Sequence, residues 1–144
     1  MSLRQPTSKM SKSDPSDHAR INLTDTPEAI QSKFRKAVTD SIPGVSYDVK
    51  ERPGVSNLLS IYSAVRDISI DDAVSEFANV KSTKDFKDQV ADAVIERLQP
   101  IQSEMARLKA DPGYVHRVLD AGAEKAAQVA HGHLDEVYKI VGLR

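Results

Sequence analysis

Two lysines and two serines within five residues form the part of this sequence best suited to chemistry. They are Lys9-Met10-Ser11-Lys12-Ser13, close to the N-terminus. Lysine ammonium groups are mobile cations that bind phosphate oxygens. A loop of this kind is suited to hold a triphosphate and to stabilise negative charge on a departing pyrophosphate. Taken alone, a run of Lys and Ser is more often a solvated tail than a phosphate-binding loop. The surrounding residues must therefore decide between these two interpretations.

The same five residues spell KMSKS, the signature of class I aminoacyl-tRNA synthetases. The motif alone indicates only that class, but the segments around it extend the resemblance over essentially the whole sequence. In order and spacing they are similar to the tryptophanyl-tRNA synthetases of bacteria and organelles. These segments are Met1–Thr7, Asp14–Pro15, Thr24–Glu28, Lys33–Asp40, Gly54–Leu59, Val90–Ile95 and Gly122–Ala126.

The resemblance implies a role for each residue of the signature. In this family the carboxylate of tryptophan attacks the α-phosphorus of ATP, and pyrophosphate leaves. Lys9 and Lys12 are then the catalytic residues that stabilise the leaving oxygens, with Lys12 the more important. Met10, Ser11 and Ser13 complete the nucleotide-binding set. The resemblance implies Mg²⁺ that arrives with ATP and no protein-ligated metal.

The resemblance also implies an organisation and a set of partners. Residues 1–23 would be a mobile polar loop and connector from a catalytic domain, and residues 24–144 a helical anticodon-binding domain. The chain would be the C-terminal part of a tryptophan–tRNA ligase, acting on tRNA(Trp), tryptophan and ATP, with the full-length enzyme a homodimer. The details of the match favour the mitochondrial matrix, with the bacterial cytoplasm as the alternative. We expect the 144 residues alone to be inactive.

A second hypothesis comes from a different class of function. The chain would be a stand-alone helical module that binds tRNA or a protein, without catalysis. It stays open because the sequence shows no βαβ units, whereas class I synthetase chemistry requires a Rossmann-type sheet.

Composition limits the remaining possibilities. The 144 residues are 40% hydrophobic but only 5% aromatic, without Trp, which indicates one domain with an aliphatic core. The absence of Cys excludes disulfides and Cys-ligated zinc. No apolar run approaches the roughly 20 residues of a membrane span, so we expect no membrane partner.

The net charge of −1 excludes a generally basic nucleic-acid-binding surface. Residues 1–53 carry nine Lys/Arg against seven Asp/Glu, a net of +2, so any RNA-binding face must be a local patch. Lys33, Arg35 and Lys36 form one basic group. Either they are a solvated helix face or they contact tRNA phosphates, and the sequence leaves both interpretations open.

Hydrophobic periodicity predicts an all-α fold, a bundle of about five or six helices. Predicted helices begin near Thr26-Pro27, Val55, Ser69, Ser82 and Pro112. The fourth carries a seam from Phe86 to Leu108, which Pro100 should kink rather than break. The loop from Ser41 to Pro53 should pack on the core through Tyr47 and Val49.

The histidines of this sequence are not spaced to bind a metal together. His131 and His133 are two residues apart on a predicted helix, so their side chains diverge by about 200° and cannot share a metal. His18 and His116 are isolated. We therefore expect surface or partly buried histidines.

Overall fold

The computed structural model describes residues 1–143. It contains a short 3₁₀ helix (Asp17–Ala19) and five α-helices, and the described residues include no strand. The all-α prediction is therefore confirmed. The helices are α1 (Pro27–Arg35), α2 (Pro53–Arg66), α3 (Ile70–Glu76), α4 (Thr83–Ala110) and α5 (Pro112–Ile140). The chain divides into two compact units, Met1–Gln102 and the residues from Ser103 onward.

Side-chain caps explain why the helices begin where they do. Thr26 accepts a hydrogen bond from the amide of Ala29 at 3.2 Å, and Pro27 follows at the first helical position. Ser69 likewise accepts from the amide of Asp72 at 3.1 Å. These local signals are those on which the predicted helix starts depended.

The core of the first unit lies among α1 to α4. Its aromatic centre is a row of three rings, Tyr62, Phe77 and Phe86, which meet edge to face at centroid distances of 4.7 and 4.8 Å. Aliphatic side chains surround them, as the low aromatic content predicts. Besides Phe77 and Phe86, the largest fully buried side chains of the core are a third phenylalanine, Phe34, and the aliphatic residues Leu3, Ile30, Leu58, Leu59, Val55 and Val90.

The start of α2 lies unusually close to the chain segment that follows α1. A Cβ atom added to Gly54 would lie 2.2 Å from the carbonyl oxygen of Val38. Only glycine allows this approach, since any side chain would have to displace main-chain atoms. The contact fixes the path of the chain immediately after α1.

Polar rather than apolar contacts hold the loop between α1 and α2. The prediction that Tyr47 and Val49 pack on the core is wrong, because their side chains are 42% and 60% exposed. The guanidinium of Arg52 is buried instead and pairs with Asp40 at 2.9 Å. Its other donors reach the same loop at Ile42 O (2.8 Å), Gly44 O (3.0 Å) and Ser46 Oγ (2.9 Å).

The two long helices differ in how much of their apolar seam is covered. Helix α4 continues through Pro100, as predicted, but its buried residues lie only between Phe86 and Val94. Helix α5 has no buried residue among those described and ends before Gly142, which has a φ of +74°. No helix in the described part of the chain is both long and apolar enough to cross a membrane.

Candidate functional site

The KMSKS residues form the exposed tip of a folded loop. Lys9, Ser11, Lys12 and Ser13 are exposed, whereas Met10 is half-buried and packs against the hydrophobic core. The two serine hydroxyls lie 3.0 Å apart, and the amide of Ser13 donates to Ser11 Oγ at 3.3 Å. Within the described chain, neither lysine ammonium group has a hydrogen bond or an ion pair. Both cations are therefore available to an anionic ligand.

Main-chain hydrogen bonds close this loop at its base. The amide of Leu3 donates to the carbonyl of Ala19 at 3.0 Å, which joins the two ends of the loop across the signature. The carbonyl of Leu3 accepts from the amide of Val38 at 2.8 Å. Leu3 and Ala19 are both buried, with exposed fractions of 1% and 0%. The predicted mobile loop is thus anchored to the first unit at both ends.

An ion cluster around a buried lysine lies against the C-terminal side of the loop. Lys33 on α1 is 3% exposed, and its Nζ lies 2.7 Å from Asp17 Oδ2 and 2.6 Å from Asp25 Oδ2. Burial by itself would lower the pKa of Lys33, but hydrogen bonds to the two carboxylates outweigh it and raise that pKa. The Lys33 ammonium is therefore held charged between its two partners.

The two carboxylates respond in the opposite direction. The hydrogen bond from Lys33 is the main cause that lowers the pKa of Asp17. Burial opposes ionisation of Asp25, yet the hydrogen bonds from Lys33 and Asn22 still lower the pKa of Asp25. All three groups in the cluster are thus ionised at neutral pH.

Further hydrogen bonds extend this cluster towards the signature. Asn22 Nδ2 donates to Asp17 Oδ1 at 3.0 Å and to Asp25 Oδ1 at 3.2 Å, so it bridges the two carboxylates. Arg20 pairs with Asp17 Oδ1 at 3.0 Å and donates through its other terminal nitrogen to the carbonyl of Asp14 at 3.0 Å. Asp14 directly follows the KMSKS residues. A continuous polar network therefore connects α1 to the edge of the signature.

The three basic residues Lys33, Arg35 and Lys36 all have partners within the chain. Lys33 is buried in the cluster and cannot contact a tRNA phosphate, which excludes that interpretation for this residue. Arg35 pairs with Asp88 of α4 at 3.0 Å. Lys36 Nζ lies 3.1 Å from His18 Nε2, so it too contacts the loop. Sequence reasoning missed these roles, because Asp25 precedes the N-cap of α1 and Asp17 lies on the signature loop, so only the fold brings them to Lys33.

The remaining histidines do not add a second site. His131 and His133 are exposed on α5. In the part of the chain that the structure describes, no group of three or more His, Cys, Asp or Glu side chains is arranged to hold a metal ion. The chemistry available at the loop is therefore that of two free ammonium groups, two hydroxyls and the surrounding amides, a set that binds phosphate oxygens.

Comparisons with known proteins identify the family of this chain. The family model of class I tRNA synthetases (W and Y) matches residues 1–99, which include the signature, the loop base and helices α1 to α3. The chain belongs to this family. The match covers more than half of the sequence and contains the whole candidate site.

Curated relatives match along nearly the full chain. The mitochondrial tryptophan–tRNA ligase of Saccharomyces cerevisiae is 43% identical over 99% of this chain, and that of Dictyostelium discoideum is 42% identical over the same share. The tryptophan–tRNA ligase of Brucella melitensis is 44% identical over 99%. The chain spans only 38%, 38% and 40% of these three relatives, respectively.

A solved structure shares the fold. The tryptophanyl-tRNA synthetase of Mycoplasma pneumoniae superposes with a TM-score of 0.77 at 28% identity. The superposition covers 100% of this chain and 43% of the other protein. The helical fold carrying the signature loop is therefore found within a larger synthetase.

Proposed function

We propose that this chain is the C-terminal part of a tryptophan–tRNA ligase and that its loop stabilises the pyrophosphate released when tryptophan is adenylated. One observation carries the proposal. Lys9 and Lys12 are exposed and have no partner among the described residues, at the tip of a loop whose base is buried, in a chain aligned over 99% of its length with tryptophan–tRNA ligases. Unpaired cations on an anchored support are the arrangement that charge stabilisation requires.

The proposed step uses the loop as follows. The carboxylate oxygen of tryptophan forms a bond to the α-phosphorus of ATP, and the bond from that phosphorus to the bridging oxygen breaks. The electron pair goes to the departing pyrophosphate, where Lys12 and Lys9 offset the growing negative charge. Ser11 and Ser13 donate hydrogen bonds to phosphate oxygens. Mg²⁺ bound to ATP would supply further charge neutralisation.

The rest of the assignment follows from the same family membership. Residues 24–144 would recognise the anticodon of tRNA(Trp), and the full-length protein would be a homodimer. The mitochondrial relatives support the mitochondrial matrix, although bacterial relatives of equal similarity keep the bacterial cytoplasm as the alternative. The stand-alone binding module is not favoured, because the alignment with complete ligases includes the signature loop.

Pyrophosphate exchange tests this proposal in the full-length protein. The substitution Lys12→Ala should lower kcat for tryptophan-dependent ATP–pyrophosphate exchange by about 100- to 1,000-fold, the usual effect of removing one transition-state donor. The KM for tryptophan should change little, because the charge acts mainly in the transition state. Lys50→Ala, at another exposed lysine, is the control and should leave kcat unchanged.

A normal kcat in Lys12→Ala with only a raised KM for ATP would overturn the catalytic role. The 144-residue chain by itself should show no tryptophan-dependent exchange. Exchange activity in that chain would contradict the prediction that the 144 residues alone are inactive.

A further inference from the structure

The segment from Lys33 to Val38 contacts the signature loop at both of its ends. At the C-terminal end, Lys33 pairs with Asp17, and Lys36 lies against His18. At the N-terminal end, the amide of Val38 donates to Leu3. The carbonyl of Lys36 also accepts from Arg4 NH1 at 2.7 Å. One short stretch of chain therefore supports a loop whose own sequence is largely polar and exposed.

Of these contacts, the Lys33 cluster is the one built from buried charge. Lys33 is 3% exposed and Asp25 is 11% exposed, whereas Asp17 on the loop is 58% exposed. The pair of Lys33 and Asp25 is thus a fixed part of the fold, and Asp17 is the loop residue that joins it. Three donors on one ammonium allow Lys33 to bind both carboxylates at once.

We propose that Lys33 is a positioning residue, which holds the KMSKS loop through Asp17 so that Lys12 meets the phosphates in the correct place. Its catalytic part rests on the proposed function. Arg20 extends the restraint, since it pairs with Asp17 and donates to the carbonyl of Asp14, two residues beyond Lys12. A loop tied this close to its lysine has fewer conformations to lose when ATP binds.

The sharpest test cuts only the loop side of the cluster. Asp17→Ala removes the link to the loop and leaves the buried pair of Lys33 and Asp25 intact, so folding is not threatened. The matched control is Asp88→Ala. It removes a carboxylate that pairs with another cation of α1, Arg35, but this pair connects α1 to α4 and not to the loop. Both variants are made in the full-length protein, together with Lys33→Met.

The first readout is hydrogen exchange at the loop base, which does not depend on activity. The amides of Leu3 and Ala19 should exchange about tenfold faster in Asp17→Ala and Lys33→Met, as expected for the loss of one charge-assisted hydrogen bond. The control Asp88→Ala should match the wild type at these amides. Equal exchange in Asp17→Ala, Asp88→Ala and the wild type would overturn the positioning role, whatever the activity of the enzyme.

The second readout is pyrophosphate exchange kinetics. Asp17→Ala should lower kcat by about 10- to 100-fold, the effect of a small misplacement of a catalytic group, with the KM for tryptophan unchanged. In the background of Lys12→Ala the same substitution should cost little more, because Asp17 acts through Lys12. Fully multiplicative losses would show that the cluster acts independently of Lys12 and would refute the inference.

The two proposals fail in distinguishable ways. If Lys12→Ala leaves exchange activity unchanged, the proposed function fails, and hydrogen exchange still decides whether Lys33 holds the loop. If Lys12→Ala is slow but Asp17→Ala has a normal kcat, the proposed function stands and the positioning role of Lys33 is refuted.

Discussion

Replacing Gly54 by alanine should destabilise this chain, although alanine is normally the better helix former. The added Cβ would lie 2.2 Å from the carbonyl oxygen of Val38, whereas real Cβ contacts do not come closer than 3.0 Å. The two segments must therefore separate by at least 0.8 Å. The carbonyl belongs to the main chain, so no side-chain rotation can relieve the contact.

The magnitude follows from two opposing effects. Overpacking against backbone costs about 3 kcal/mol, the upper end of the usual range, because rigid atoms must move. Alanine recovers up to about 1 kcal/mol of helix propensity at a helical position. The expected net loss is about 2 kcal/mol of the free energy of unfolding. With a urea m-value of about 2 kcal/mol/M, the midpoint should fall by about 1 M.

The assay is urea unfolding of the 144-residue chain, followed by far-ultraviolet circular dichroism. The matched control is Gly122→Ala, inside α5, where an added Cβ meets nothing within 4 Å. The control should be neutral or gain roughly 0.5–1 kcal/mol. A Gly54→Ala variant as stable as the Gly122→Ala variant would refute the reasoning.

The same substitution tests the connection to the loop. Val38 carries the carbonyl that the new Cβ would displace, and its amide donates to Leu3 at the loop base. Hydrogen exchange at that amide should therefore become faster in Gly54→Ala. Unchanged protection at Val38 would mean that the strain is absorbed elsewhere.

Two further predictions concern pH and capping. Lys33 lowers the pKa values of Asp17 and Asp25. The stability that these two carboxylates contribute to the folded chain is therefore complete above the unfolded-state pKa near 3.9, and it is lost as pH falls through their lower folded-state pKa values. Lys33, whose pKa is raised, contributes fully below about pH 10 and loses its contribution as pH rises through its folded pKa. The free energy of unfolding of the wild type should fall at both acidic and strongly alkaline pH. It should depend less on pH in Lys33→Met. The same pH dependence in Lys33→Met and the wild type would contradict the stabilising role of the cluster. Ser69→Ala should cost about 1 kcal/mol by removing the cap on Asp72, measured by the same urea midpoints, and no loss would mean that the cap is replaced by water.

Local chemistry made the helices predictable from sequence. Thr26 and Ser69 cap the helices that follow them, and Pro27 and Pro112 occupy first-turn positions that proline favours. The KMSKS residues were also recognisable, because their identity and order are a property of the chain itself. Each of these signals acts over a few neighbouring residues, so no knowledge of packing is required.

Contacts between distant residues were not predictable in the same way. Tyr47 and Val49 looked like core residues by hydrophobicity, but the buried charge of Arg52 and its hydrogen bonds organise that loop instead. Lys33 looked like a solvated or phosphate-binding residue until the fold placed it between two carboxylates. In both cases burial reversed the expected role of a side chain.

By itself, the sequence determined that the chain is helical and that a KMSKS signature lies near its start. Only the tertiary structure decided that this signature is the tip of an anchored loop, joined at its base from Leu3 to Ala19 and held from α1 by Lys33. The physical reason is that a cap or a motif needs only neighbouring residues. A buried lysine such as Lys33 is stabilised only where the fold brings carboxylates to it from distant parts of the sequence.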